Sequence, residues 1–385
     1  MTDLDLPQAA WMNEELTMLQ DMVRDFYNNE CAPEYERFEE QGIFDKSIWL
    51  KAGELGLLGA EVPEAYGGPG LDFTYDAVIA IEANKAGIDG WGAPLHNAIV
   101  IPYIVHYGSE EQKKRWLPRM VSGELVSAIA MTEPGAGSDL QGIHTTATRD
   151  GNHYVLNGQK TFITNGQMAN LIVVVAKTDP GAGAKGISLM VVETDEVEGF
   201  RRGRNLDKIG LKSNDTSELF FDEVRLPASA LLGHEEGQGF AQLMQQLPQE
   251  RLLIAIQAMG RIERALGETI AYVKERKAFG KRIIDFQNTQ FVLAECKTRA
   301  TIAKVFVNDC VARLVAGELS TETASMAKYW LTDLQCRIID ECLQLHGGYG
   351  YMNEYPIARM YRDARVERIY GGTNEIMKLV IARSL

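Results

Sequence analysis

The sequence predicts an α+β protein of three units: an N-terminal helical domain, a middle β-barrel or sheet domain, and a C-terminal four-helix bundle. Helix-like apolar spacing runs from Glu14 to about Leu125. Short apolar runs and alternation replace it from about Val126 to His234, and three- and four-residue spacing returns from Gly237. The corresponding domains are 1–125, 126–236 and 237–385.

In the first unit Met18, Met22 and Phe26, then Trp49 and Leu57, supply apolar stripes that break at Pro63 and at Gly67 to Gly70. In the second, Tyr154-Val155-Leu156, Asn157-Gly158 and Thr161-Phe162-Ile163 predict a hairpin, because Asn-Gly readily takes the positive-φ turn that matches strand twist. LIVVVAKT (171–178) and ISLMVVET (187–194), separated by the turn-rich PGAGAKG, read as buried strands. The third unit carries three long stripes. One holds Leu252, Ile256, Met259 and Leu266, the next Leu293, Cys296, Ala300 and Ala303, the last Ala324, Ala327, Leu331 and Leu334. Small residues in these seams imply closely packed antiparallel helices.

The 385 residues carry a formal charge of −14, which argues against a nucleic-acid partner, although a few local Arg or Lys side chains can still hold an anion. No apolar run reaches membrane-spanning length, so no membrane insertion is expected. The five cysteines (Cys31, Cys296, Cys310, Cys336, Cys342) form no C-x-x-C pair and read as reduced thiols packed as small apolar residues. With an acidic N-terminus that lacks an apolar signal core, the expected location is cytoplasmic, a processed mitochondrial form being the other reading. No metal is expected.

Three segments carry chemistry. AMTEPGAGSDLQG (130–142) is a Gly-rich turn whose backbone N–H groups can converge on an electron-rich ligand, with Thr132 and Ser138 adding hydroxyls. An ordinary tight turn is the plain alternative. QLHGGYGYMNEYPIARMYRD (344–363) sets glycines and aromatics after a long helix, where Gly347 also suits a helix C-cap. RIYGGTNEIMKLVIAR (368–383) opens a last helix from a Gly-Gly-Thr turn, with Thr373 or Asn374 near its cap. None of these is a dinucleotide G-x-G-x-x-G or a P-loop.

The first two segments match, position for position, the signature patterns of the acyl-CoA dehydrogenase family, and the resemblance covers nearly the whole chain. It implies bound FAD, an acyl-CoA substrate, a homotetramer built as a dimer of dimers, and electron transfer to an electron-transferring flavoprotein. It places Met131, Thr132, Gly137 and Ser138 along the flavin, with Ser138 also facing the thioester. TFITNG resembles the second flavin contact, which brings in Phe162, Ile163 and Thr164; Phe162 stands where many relatives have Trp. ERKAFGK resembles the stretch that reaches the neighbouring subunit's FAD, making Arg276 and Phe279 diphosphate and adenine contacts, joined by Gln287, Gln344, His346, Gly347 and Gly348. Thr373, Asn374 and Glu375 resemble the final flavin-contacting turn.

The family's reaction needs a carboxylate to take the α-proton while the β-hydrogen leaves as hydride to the flavin. Many members carry that base immediately before the Gly-Thr of the third segment, where this chain has Gly371. LPQERLLIA (247–255) instead resembles the helix of long-chain members that carries the base, which makes Glu250 the base and Arg251 its organising neighbour. Pro248, Gln249, Gly371 and Gly372 join Ser138 and Arg251 as substrate contacts, and Leu243, Met244 and Leu247 as acyl-tunnel candidates. By spacing alone, Glu250 would be a first-turn, solvated Glu after a helix-starting Pro248. Glu133 and Asp139 are the weaker candidates for base, read as braces of their loop. The expected reaction is α,β-dehydrogenation of a medium-to-long or branched acyl-CoA to the trans-2-enoyl-CoA. An acyl-CoA oxidase and a non-catalytic flavin binder are the alternatives.

Overall fold

Capped helices build the N-terminal domain of the computed structural model, which describes residues 4–385. Helix α1 (Glu14–Phe26) opens at Asn13, whose side chain accepts from the Leu16 N–H. After α2 (Tyr35–Gln41) and α3 (Lys46–Glu54), α4 (Phe73–Ala86) opens at Asp72 and ends at Gly87, φ +77°. Nearly every face of α4 is buried, because it packs between α1 and the first helix of the C-terminal domain. Residue 87 favours glycine at its positive φ, and an added Cβ would displace the Arg264 guanidinium, whose Nη1 lies 1.9 Å from that position. Next, α5 (Ala93–Leu95), a π-helical turn (His96–Val100) and α6 (Ile101–Tyr107) run end to end, followed by α7 (Glu110–Val121) with a Ser109/Gln112 capping box.

Seven strands form one sheet: β1 (Ser127–Ala130), β2 (Thr146–Asp150), β3 (His153–Thr164), β4 (Leu171–Lys177), β5 (Ile187–Glu193), β6 (Phe200–Asn205) and β7 (Thr216–Pro227). The order is β1-β4-β2-β3-β7-β6, with β5 antiparallel against β4. Strand β4 is buried on both faces: Leu171, Val173 and Val175 join the cluster under α6 and α7, and Ile172, Val174 and Ala176 the cluster on the other side. That explains its unbroken apolar run.

The hairpin expected at Asn157-Gly158 is not there. The segment is one long strand, β3, with a register shift between Leu156 and Gly158. The Asn157 side chain accepts from Glu223 N–H on β7, so the pair that signals a turn makes a bulge instead. The two-residue turn falls earlier, at Gly151-Asn152 between β2 and β3.

In the C-terminal domain α8 (Gly239–Glu275), α9 (Gln287–Val315) and α10 (Thr321–His346) are the three long helices, with the small β8 (Lys277–Ala278) and β9 (Lys281–Arg282) hairpin between the first two. Short helices α11 (Pro356–Asp363) and α12 (Asn374–Ala382) follow, α12 lying along α10 as the fourth, short member. All five cysteines are free thiols, and four are buried. Pro248 does not start a helix: it lies inside α8, which begins nine residues earlier. Glu250 is therefore a mid-helix residue and not a first-turn one.

Candidate active site

Mid-helix placement puts Glu250 inside the protein. It is 5% exposed, and its Oε1 accepts a 2.8 Å hydrogen bond from the Tyr103 hydroxyl on α6. Burial pushes its carboxyl up to about 7, with the Tyr103 hydrogen bond and the Arg251 charge pulling the other way. A proton acceptor poised near neutrality is what general-base chemistry requires. The adjoining Arg251 is also buried and donates through Nη1 to Ser325 Oγ on α10 at 3.1 Å.

Gly371 has φ +65°, and a Cβ there would stand 2.2 Å from Ile254 Cδ1, one helical turn beyond Glu250. The space a side chain at 371 would need is thus filled from α8. The same turn is pinned from α10, where the buried Lys328 donates to Gly372 O at 2.6 Å and to Asn374 Oδ1 at 3.0 Å. Burial draws the Lys328 ammonium down to about 8. Thr373 caps α12 by accepting from Ile376 N–H, and Glu375 is exposed. The Asn374 amide donates to Tyr329 O, Thr332 Oγ1 and Asp333 Oδ1. It holds the turn against α10.

On the sheet side, Met131 and Thr132 are half-buried, while Gly137 and Ser138 are exposed. Thr161 N–H donates to Thr132 O at 2.9 Å, which ties this loop to Phe162, Ile163 and Thr164. Phe162 is 67% exposed at φ +60°, a conformation that a bulky residue keeps only when its surroundings impose it. Ile163 turns inward and Thr164 is half-buried. The loop owes its shape to Glu133, whose carboxylate accepts from His144 N–H at 2.6 Å and Thr145 N–H at 3.0 Å and pairs with buried Lys160 at 2.9 Å. Burial alone would raise that carboxyl, yet these partners hold it below the usual range. Glu133 is a brace, and Asp139 is exposed.

A separate cavity of about 570 Å³ is lined by Tyr272, Arg276, Gln344, His346, Gly347 and Gly348, among others. Tyr272 stacks on His346 at 4.3 Å, and the Arg276 guanidinium lies over Tyr349 at 5.2 Å. Gly347 takes φ +58° after the end of α10. Phe279, 95% exposed, and the exposed Gln287 do not line this cavity.

These surfaces fit FAD. The open glycines Gly135, Gly137, Gly347 and Gly348 have no atom within 4 Å of where a Cβ would be, so a ligand can reach the backbone there. The exposed Phe162 ring suits a flat partner, and Arg276 suits a diphosphate.

Of the other substrate candidates, Pro248 is half-buried, and the Gln249 amide is already engaged by Glu61 Oε2 at 3.0 Å and Ala98 O at 3.1 Å. Leu243 packs in the core beneath the sheet, while Leu247 and Met244 are more open. Tyr103 and Lys328 were not legible as site residues in the sequence. Only the folded contacts reveal them.

Family models of the acyl-CoA dehydrogenase N-terminal, middle and C-terminal domains match residues 13–124, 128–224 and 237–385. The pig (Sus scrofa) mitochondrial long-chain specific acyl-CoA dehydrogenase is 50% identical over 100% of this chain and 89% of its own. An acyl-CoA dehydrogenase from Geobacillus kaustophilus superposes with a TM-score of 0.96 at 51% identity, covering 98% of this chain and 99% of that one. A glutaryl-CoA dehydrogenase from Mycobacterium smegmatis, solved with FADH2, superposes at 0.89 with 30% identity, over 97% and 95% of the two chains. Fold and site define an FAD-dependent oxidoreductase acting on a CH–CH group. The chain belongs to the acyl-CoA dehydrogenase family.

Proposed function

We propose that the protein converts a medium-to-long or branched fatty acyl-CoA to the trans-2-enoyl-CoA, with Glu250 as the base, and delivers the electrons to an electron-transferring flavoprotein. The observation that carries this is the buried Glu250 carboxylate, set one turn from the residue that fills the space at Gly371. When bound, FAD supplies the hydride acceptor for the β-hydrogen. Glu250 takes the α-proton, and the fold keeps water from it. Thr132 and Ser138 offer hydroxyls on the sheet side, next to Phe162, Ile163 and Thr164. The half-buried loop of Met131 and the turn of Gly371, Gly372 and Thr373 frame the slot.

Arg276, Gln344, His346, Gly347 and Gly348 line a cavity to which none of the flavin-loop residues contributes. That separation supports a second copy of the chain completing each site, within a homotetramer built as a dimer of dimers. Phe279 and Gln287, exposed in the single chain, are available to the same partner. No helix among the described residues is long and apolar enough to cross a membrane. A cytoplasmic location, or a processed mitochondrial one, belongs to the same reading.

Anaerobic titration with straight and branched acyl-CoAs tests the reading: flavin absorbance should bleach with medium-to-long or branched thioesters. Failure with every acyl-CoA would leave a non-catalytic flavin binder. Rapid reoxidation in air would favour an oxidase.

A further inference from the structure

Two neighbouring bonds stitch α6 to α8. Pro102 has no N–H to give the Ala98 carbonyl four residues back, and the Gln249 amide donates to that oxygen at 3.1 Å instead. Glu250, next to Gln249 on α8, makes the second bond, accepting at Oε1 from the hydroxyl of Tyr103, which follows Pro102 on α6, at 2.8 Å. Both partners of that bond are buried, and Tyr103 is wholly enclosed. One helical turn further out the arrangement repeats with weaker groups, since the Gln246 amide donates to the Tyr107 hydroxyl at 3.0 Å. The π-helical turn just before α6 is the sort of irregularity that re-aims side chains near functional sites.

We propose that Tyr103 is a positioning residue for the base: its phenol holds the Glu250 carboxylate in one rotamer and in its ionised, proton-accepting form. This rests on Glu250 being the base. A buried carboxylate without a donor would be protonated and useless as an acceptor, and a hydrogen bond to the charged form opposes that. Arg251 favours the ionised carboxylate through its charge but makes no hydrogen bond to it, since its Nη1 donates to Ser325 Oγ and its Nε has no partner. The other titratable groups bearing on the site are Tyr107 on α6, which feels the Glu250 charge, and Lys328 on α10, which sits beside Arg251.

The test is the pH profile of kcat/KM for the FAD-loaded enzyme. In Tyr103→Phe the acid-limb midpoint should move up by about one to two pH units, cutting kcat/KM at pH 7 by about five- to fifty-fold. Activity should return towards the wild-type level at high pH. A purely structural phenol would lower the melting temperature and leave the midpoint in place. Replacing Tyr103 with 3-fluorotyrosine, a more acidic donor of nearly the same shape, should move the midpoint down, and it decides the matter if the phenylalanine variant folds poorly. A midpoint that stays put in both variants overturns the proposal. An active Glu250→Gln enzyme would instead overturn the base assignment, an outcome independent of either Tyr103 variant.

Discussion

Ile254 occupies the place of the side chain that Gly371 lacks: its Cδ1 lies 2.2 Å from where that Cβ would be. Helix α8 thus brings both the buried Glu250 and the side chain that fills the space beside Gly371. The two choices are coupled by packing. A side chain added at 371 has to displace the end of Ile254, at a positive φ.

Gly371→Ala should destabilise the protein by about 1–3 kcal/mol, from its positive φ together with the clash. Gly371→Glu introduced into Glu250→Gln should fail to recover activity, and adding Ile254→Ala should recover a measurable part of it. Denaturant midpoints and enoyl product formation check both. Recovery without the Ile254 change would show that the space is not contested.

Glu250 is expected to set a trade between activity and stability. Its carboxyl is pushed from 4.5 in the unfolded chain to about 7 in the fold. Between those values the native state holds a proton that the unfolded state has released, so stability falls as pH rises from about 4.5 to about 7. Glu250→Gln removes that penalty. At pH 8 it should be more stable than wild type by on the order of 2–3 kcal/mol while losing about a hundredfold or more in kcat. Thermal melts at pH 4.5 and pH 8 check the sign, since the difference should nearly vanish at the lower pH.

Lys328 should matter for flavin binding as well as for stability. Its ammonium donates to Gly372 O and, alongside the Thr332 hydroxyl, to Asn374 Oδ1, joining both to α10. Lys328→Met leaves those acceptors buried without it, at a cost of about 1–3 kcal/mol. We expect reduced flavin content in the purified variant, read from the absorbance ratio of flavin to protein. Full flavin occupancy and wild-type kcat would confine Lys328 to a stabilising role.

Much of this was legible beforehand where the signal was local. The stripes of α8, α9 and α10 and the unbroken runs of β4 and β5 follow from side-chain periodicity, and Gly347 ends α10 at positive φ as its position suggested. Two local signals misled. Asn157-Gly158 became a bulge because β7 offered Asn157 a backbone partner, and Pro248 was absorbed into a helix long enough to tolerate it. Tyr103 was invisible for another reason. Its partner is 147 residues away, and an aromatic in an apolar helix looks like core until the opposing helix is in place.

Arg276 gives the sharpest test of whether a site spans two chains. It shares its cavity with Gln344, His346, Gly347 and Gly348, while Glu250, Thr132 and Phe162 lie outside it. Losing a guanidinium–phosphate interaction typically costs about 1.5–3 kcal/mol, so Arg276→Ala should weaken FAD affinity by roughly ten- to a hundredfold. Mixed with Glu250→Gln chains, refolded together and given FAD, it should form hybrids in which one site has both an intact base and an intact Arg276 from its neighbour. Activity should then reappear from two nearly inactive parents when FAD is limiting. If each chain supplied its own Arg276, every site in the hybrid would lack one residue or the other, and mixing would restore nothing.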